Sequence, residues 1–248
     1  MHKWRAGYFN ELYLLLYRKK VVMFAIFSLI LPVLLAISLS ALKPVLGLIA
    51  VSQSFPIEML TIYTSIWIPL FILTITGDLF PGEVATRTLK LALLRPNSRF
   101  QVFGTKVAAL GTGIAGILIL LGIITFICNI FAGTSARFVE SVHMIEAYAA
   151  AFVSMIALSA MFVFVSQFFK SASSFMVFSL VLYAAAKMAP FLLSSIAAFS
   201  PASYTNWHML WLSQTVSAGK LMTSLLFLLS SCMLFLALGY YRFDRKEV

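Results

Sequence analysis

The sequence predicts an all-α polytopic membrane protein, and three observations carry that prediction. Of its 248 residues 62% are hydrophobic and only 10% charged, where an ordinary soluble domain has roughly 45–50% apolar and about 25% charged residues. The apolar residues gather into six runs, most of them long enough for a helix to cross a bilayer. The lysines and arginines fall almost entirely in alternate intervals between those runs. A soluble core of ordinary size has no room for this much apolar surface, which the mean hydropathy of +1.00 summarises.

The first twenty residues read as an amphipathic interfacial helix. Trp4, Tyr8, Leu12, Leu15 and Leu16 recur at helical spacing, with Arg5, Asn10, Glu11 and Arg18 mostly elsewhere around the wheel. Such a segment lies along the membrane surface, either as an anchor or as a grip for a cytosolic partner, and both readings stand. The first span follows over 21–42. It is too long for the apolar region of a cleaved signal peptide, so the amino terminus is read as mature chain.

Further spans are expected over 59–79, 107–131, 144–169, 175–188 and 221–241. Six crossings put both termini on one side. No internal repeat and no long Pro/Gly/Ser-rich linker interrupts them, so residues 1–248 are read as one membrane domain, an interfacial helix over 1–20 and a six-span bundle over 21–248.

Positive residues resist translocation and mark the cytoplasmic side. One side collects Lys3, Arg5, Arg18, Lys19, Lys20, Arg87, Lys90, Arg95, Arg99, Lys106, Lys170, Arg242, Arg245 and Lys246, against Lys43, Arg137 and Lys220 on the other, with Lys187 at or within a span. Both termini are therefore expected in the cytoplasm. The formal charge of +10 is thus spread over helix ends as topology anchors and contacts for anionic lipid, which excludes nucleic acid as a partner.

Few motifs carry chemistry. Gly111-Thr-Gly-Ile-Ala-Gly116 matches the dinucleotide fingerprint literally, yet it lies inside a span with no preceding strand and no acidic residue about 20 positions on. Its small residues, continuing to Gly122, instead suit close helix packing. No GxxxxGK[ST] loop exists to cradle ATP, and no HExxH or paired-aspartate arrangement serves an intramembrane enzyme. His2, His143 and His208 stand apart from one another, and Cys128 and Cys232 read as small buried side chains, so no metal site or other cofactor is expected in this chain. Ionisable residues in or near the membrane are Glu58, Glu146 and Lys187. All three are placed toward the outer face, where snorkelling or mutual pairing is favoured over a proton relay.

The interval between the second and third spans is the most informative. Pro81 and Gly82 are expected to break the second span. Glu83 then stands where a carboxylate favours a helix amino terminus, and Val84 to Leu94 reads as one short cytoplasmic helix ended by Pro96. Leu89, Leu91, Leu93 and Leu94, rimmed by Arg87, Lys90 and Arg95, make either a protein-docking surface or a helix lying flat on lipid.

At this interval the sequence resembles the membrane subunit of type-2 ABC exporters, the ABC-2 permease family. Glu83, Thr88-Leu89, Pro96-Asn97-Ser98-Arg99 and Lys106 follow that family's order and gaps, while Arg87 stands where the family usually has Gly. The likeness extends to the amphipathic amino-terminal segment, the six spans and the outer segment from Pro190 to Lys220. That segment, with Ser200-Pro201-Ala202-Ser203-Tyr204, Trp207 and Trp211, is similar to the family's re-entrant hairpin of short helices.

The resemblance implies a permease that works with a second copy or a related permease, in a bacterial cytoplasmic membrane. Separate cytosolic ABC ATPase subunits would hold ATP and magnesium. They would dock on the coupling helix through Glu83, Arg87, Thr88, Leu89, Leu91, Leu93, Arg95, Pro96 and Arg99, and on the interfacial helix bearing Trp4, Tyr8, Glu11, Leu12 and Leu15. An antimicrobial peptide, an antibiotic or a lipid-like compound is the implied class of cargo. The alternative reading from another class is a self-sufficient secondary carrier or channel using Lys187 and Glu146.

Overall fold

The computed structural model describes residues 2–46, 55–88, 98–131, 138–192, 200–213 and 216–246. Among these every regular element is helical. In chain order they are α1 (His2–Leu16), α2 (Lys19–Leu46), α3 (Phe55–Ala85), α4 (Arg99–Phe131), α5 (Phe138–Ser166), α6 (Ala172–Leu192), α7 (His208–Leu212) and α8 (Ala218–Asp244), with a 3₁₀ turn at Pro201–Tyr204 before α7.

The described residues contain six helices long and apolar enough to cross a membrane, α2 to α6 and α8. They match the six expected runs and extend beyond most of them. At 31 residues α3 measures about 46 Å, more than the ~30 Å hydrocarbon core requires, so its polar end extends beyond that core.

The expected break at Pro81-Gly82 does not occur. The helix runs through both residues as a π turn, Asp78–Gly82, and stops only after Ala85. A proline in an α-helix clashes with the carbonyl four residues back, and the wider π turn relieves that clash. Gly82 completes the device, because a Cβ there would lie 3.0 Å from the Gly77 carbonyl oxygen. A second π turn, Tyr63–Trp67, lies near the other end of α3.

The single helix expected over 84–94 is also corrected. Thr86 and Arg87 form a turn after Ala85, and Thr88 is helical again. Leu89, Leu91, Leu93, Arg95 and Pro96 lie outside the described residues.

α3 and α5 form the centre of the bundle. In their spanning windows 67% of residues are buried, against 17% in α2 and α6 and 11% in α8. α8 packs along α5, α2 and α1 pack on α4, and α6 packs on α3. The core between them is aliphatic and aromatic, with Tyr63, Phe71, Phe80, Phe162 and Phe175 inaccessible or nearly so. Hydrocarbon offers polar atoms no partner, and two on the central helix find theirs on α2. Tyr63 donates to the Ser28 carbonyl at 3.1 Å and Trp67 Nε1 to Ser28 Oγ at 2.8 Å, joining α3 to α2.

The small residues of the false dinucleotide fingerprint have a packing role. A Cβ on Gly113 would meet the Phe71 ring of α3 at 3.3 Å, and one on Gly111 would meet Ile156 of α5 at 3.4 Å. Close approach on two sides seats α4 against both central helices.

Candidate functional site

At the end of the bundle where α1, α3 and α4 meet, six charged side chains form one connected cluster. Lys106, on α4, is 1% exposed. Its ammonium donates to Glu83 Oε1 at 2.7 Å and Oε2 at 2.8 Å on α3, and to Glu11 Oε1 at 3.1 Å on α1. Arg18, just past α1, lies 3.6 Å from both Glu83 and Asp78, and Lys20 reaches Asp78 at 2.7 Å. A buried cation is tolerable only when its donors and charge are satisfied, and two carboxylates do both for Lys106.

Each member owes its position to the local fold. The π turn at Asp78–Gly82 carries Asp78 and Glu83 on the emerging end of α3. Helix α1 presents Leu15, fully buried, against α4 and sets Glu11 one turn earlier on the inward side. Gly7 lies close to Thr105, its added Cβ only 3.4 Å from the Thr105 methyl, which lets α1 lie near the start of α4. The amphipathic helix thus faces inward through Leu15 and Glu11, while Leu16, expected on the apolar face, is 55% exposed and Trp4 41%. Trp4 stacks on Tyr8 at 5.9 Å between ring centroids. Leu12 is half-buried beside them.

Glu83 therefore serves as an ion-pair partner rather than as the start of a new helix. Thr88 Oγ1 lies 2.9 Å from Thr86 Oγ1, and Thr86 donates to the Gly82 carbonyl at 3.1 Å, tightening the end of α3. Arg99 donates to the Asp244 carbonyl at 2.5 Å and the Lys246 carbonyl at 3.2 Å, so it caps the carboxyl end of α8, where a cation complements the helix dipole. Burial, with Arg242 and Lys170 nearby, lowers the Lys246 pKa from its ordinary value.

Arg87 has φ 58°, in the left-handed region that favours glycine. The related family's usual Gly at this place has a physical reason: the chain turns there through a conformation costing other residues roughly 1–2 kcal/mol. Arg87→Gly is expected to raise the thermal midpoint of the purified protein by about 2–4 °C, as about 1 kcal/mol does in a domain of this size. A lowered midpoint would mean the arginine side chain contributes more than the strain costs.

The opposite end of α3 carries a second cluster, made of hydroxyl, amide and imidazole groups with one lysine, Lys187. Asn206 Oδ1 accepts from Ser65 at 2.9 Å and Thr64 at 3.3 Å, Thr61 Oγ1 lies 3.1 Å from His208 Nε2, and Tyr183 on α6 donates to the Ser65 carbonyl at 2.6 Å. Lys187 donates to Thr205. The 3₁₀ turn and α7 are thereby bound to α3, while Trp207 packs with Ala150, Ala157 and Leu228 between α5 and α8.

Burial lowers the His208 pKa to about 4 from 6.5. A base with a depressed folded pKa holds fewer protons when folded, so its contribution to stability is complete above about 6.5 and is lost as pH falls toward about 4. The thermal midpoint is expected to drop over that interval, and His208→Gln to flatten the drop. An equally steep profile in the variant would move the cause elsewhere.

The ionisable residues expected toward the outer face have separate surroundings. Glu146 lies 3.3 Å from His143 on the same helix, Lys187 contacts Thr205, and Glu58 is exposed on α3. Among the described residues no group of His, Cys, Asp and Glu has the makings of a metal site, and Cys128 and Cys232 are unpaired thiols.

Sequence reasoning placed Arg18 on the polar face of the interfacial helix, counted it with Lys20 among the topology anchors, and gave Asp78 no role. It missed the hydroxyls of Thr61, Thr64, Thr205 and Ser65 altogether. The available signals were the few acids of this sequence, three of which join the charge cluster, and the i, i+3 hydroxyl spacing in the second span.

Six membrane-crossing helices around a shared core, with polar clusters at both ends of the central α3, define a multi-pass α-helical membrane protein. The model of the ABC-2 family transporter proteins matches residues 38–248, and the chain belongs to that family of transporter permeases. Helix α1 and the first part of α2 lie outside the matched region. Against curated proteins the chain finds no match.

Proposed function

We propose that this chain is the membrane-spanning permease of an ATP-driven exporter, and that the Lys106 cluster transmits the motion of separate ATPase subunits into the bundle. The observation that carries the reading is the burial of Lys106 between Glu83 and Glu11. One ammonium ties the interfacial helix, the end of α3 and the start of α4, so a push on any of them moves all three.

In this reading both termini and the charge cluster face the cytoplasm of a bacterial cell, and residues 1–248 act as one transmembrane domain. Two permeases, identical or related, enclose the path. ATP and magnesium bind on the partner ATPases, which dock on the segment from Glu83 to Arg99 and on α1. Helix α3 links docking to the far side, because its other end holds the turn and α7 through Ser65 and Asn206. Those short elements then form the re-entrant hairpin, and its buried contacts supply the cover that irregular backbone needs at membrane depth. Cargo moves only if it binds the inward and outward states differently. An antimicrobial peptide, an antibiotic or a lipid-like compound is the class proposed.

The test is purification of the tagged protein in mild detergent, wild type beside Leu89→Asp, with co-purifying ATPase measured. Recovery of an ATPase subunit with the wild type and its loss in the variant is the expected result. A folded wild type that brings down no ATPase, and that carries out gradient-driven flux abolished by Lys187→Ala, would replace the exporter with a self-sufficient carrier.

A further inference from the structure

Between α4 and α5, in the half of the bundle away from the charge cluster, runs an open groove of about 510 Å³. It lies level with the amino-terminal end of α3, because the hydroxyl of Tyr148, in its wall, lies 3.5 Å from the Pro56 carbonyl. That hydroxyl also meets Thr125 at 3.2 Å, so its polar capacity is taken up within the protein. The rest of the wall is aliphatic and aromatic.

Small residues make the space. Ala115 and Gly122 on α4 and Ala149 on α5 line it, and a Cβ on Gly122 would lie 3.3 Å from the Tyr148 ring. From Ala115 to Phe126 the groove follows α4 for about 16 Å, close to half of a ~30 Å hydrocarbon core. Its volume falls within the usual range for ligand sites, roughly 300–1,000 Å³. An apolar groove of this length, open along one side and about one leaflet deep, matches a single extended hydrocarbon chain.

We infer that this groove is a binding site for a single acyl chain of a membrane phospholipid, in the leaflet opposite the charge cluster. That leaflet is the outer one in the orientation proposed above, and only this naming rests on that proposal. Lipid tails are as apolar as the wall, so burial from water does not distinguish this surface from the remainder of the lipid-facing bundle. Contact does: a concave wall meets a chain on several sides and gains dispersion that a convex helix face cannot. A chain seated there packs against Tyr148 and so against the start of α3.

The test uses the full chain in lipid nanodiscs doped with a phosphatidylglycerol that carries a photoreactive diazirine in one acyl chain. After illumination, labelled positions are mapped by mass spectrometry. Residues 119–126 and 144–152 are expected to carry several-fold more label than the equally exposed faces around Ile26 and Ile30 of α2 and Leu226 and Met233 of α8. Ala149→Trp, or independently Ile123→Trp, fills the groove and is expected to bring its labelling down to the level of those faces, leaving theirs unchanged. The wild-type map is decisive even if one variant fails to fold.

Equal labelling of all lipid-facing helices would overturn the proposal. So would weak groove labelling together with a disulfide between two copies of Ile123→Cys, made with Cys128→Ser and Cys232→Ser, since that places a second protein chain over the groove. The label is read on the permease without its ATPase, so failure of the exporter reading leaves this result interpretable.

Discussion

Lys106→Met is expected to loosen the whole charged end of the bundle, lowering the thermal midpoint by about 10 °C. Lys106 is 1% exposed and is the sole contact joining Glu11 of α1 to Glu83 of α3 among the ion pairs of the described residues. Removing one partner of a buried ion pair typically costs about 3–5 kcal/mol, because the opposite charge stays buried without compensation. Here Glu11 and Glu83 would be left facing each other with Arg18, 3.6 Å from Glu83, as the remaining cation, adding repulsion to desolvation. At about 2–4 °C per kcal/mol for a chain of this size, the shift is large and readily measured in detergent.

A further arm isolates the charge. Glu11→Gln and Glu83→Gln added to Lys106→Met remove the stranded anions, and well-packed neutral substitutes for a buried ionic group are often neutral or stabilising. Most of the lost stability is expected to return in the triple variant, while coupling between ATP hydrolysis and transport stays lost in a reconstituted complex. If Lys106→Met alone left the midpoint unchanged, the cluster would not be the junction that the proposed mechanism requires.

Trp207→Ala is expected to cost about as much at the other end. Trp207 is 2% exposed and fills the space between α5 and α8 against Ala150, Ala157 and Leu228. Emptying a buried aromatic site costs about 3–5 kcal/mol, most where the surroundings cannot collapse, and the long helices on both sides restrict collapse. A midpoint lower by about 10 °C is again expected. Cysteines introduced at neighbouring Ser203 are expected to react faster with a membrane-impermeant maleimide in the Trp207→Ala background, because the turn and α7 lose their anchor. Unchanged stability and reactivity would show that Asn206 and His208 hold these elements by themselves.

Much of the fold was legible along the chain. Six apolar runs became six membrane-capable helices, because span length and hydropathy are local sums that neighbours in sequence determine. The segment from Glu83 to Arg99 was recognisable by its order of residues, and the family match to 38–248 agrees with that resemblance. The reading failed at Pro81-Gly82, where residues that usually end a helix sit in a π turn that continues it. Ring and carbonyl sterics favour a break in an α-helix, and only the wider turn, with Gly82 beside the Gly77 carbonyl, removes the conflict.

By itself, then, the sequence determined the membrane class, the six helices long and apolar enough to cross a bilayer, the lack of a GxxxxGK[ST] motif and the family resemblance. All of these follow from composition, spacing and short motifs. Only the tertiary structure decided that Glu11 and Lys106, 95 positions apart, share a buried contact, and that Thr61 meets His208 across 147. Which face of α1 turns inward is likewise settled by what α4 offers it, and a lysine read as a surface anchor becomes a buried junction when two acids arrive from different helices. Such contacts depend on how helices of nearly uniform hydropathy pack, and in a membrane that packing is governed by shape and polar matching rather than by any apolar stripe.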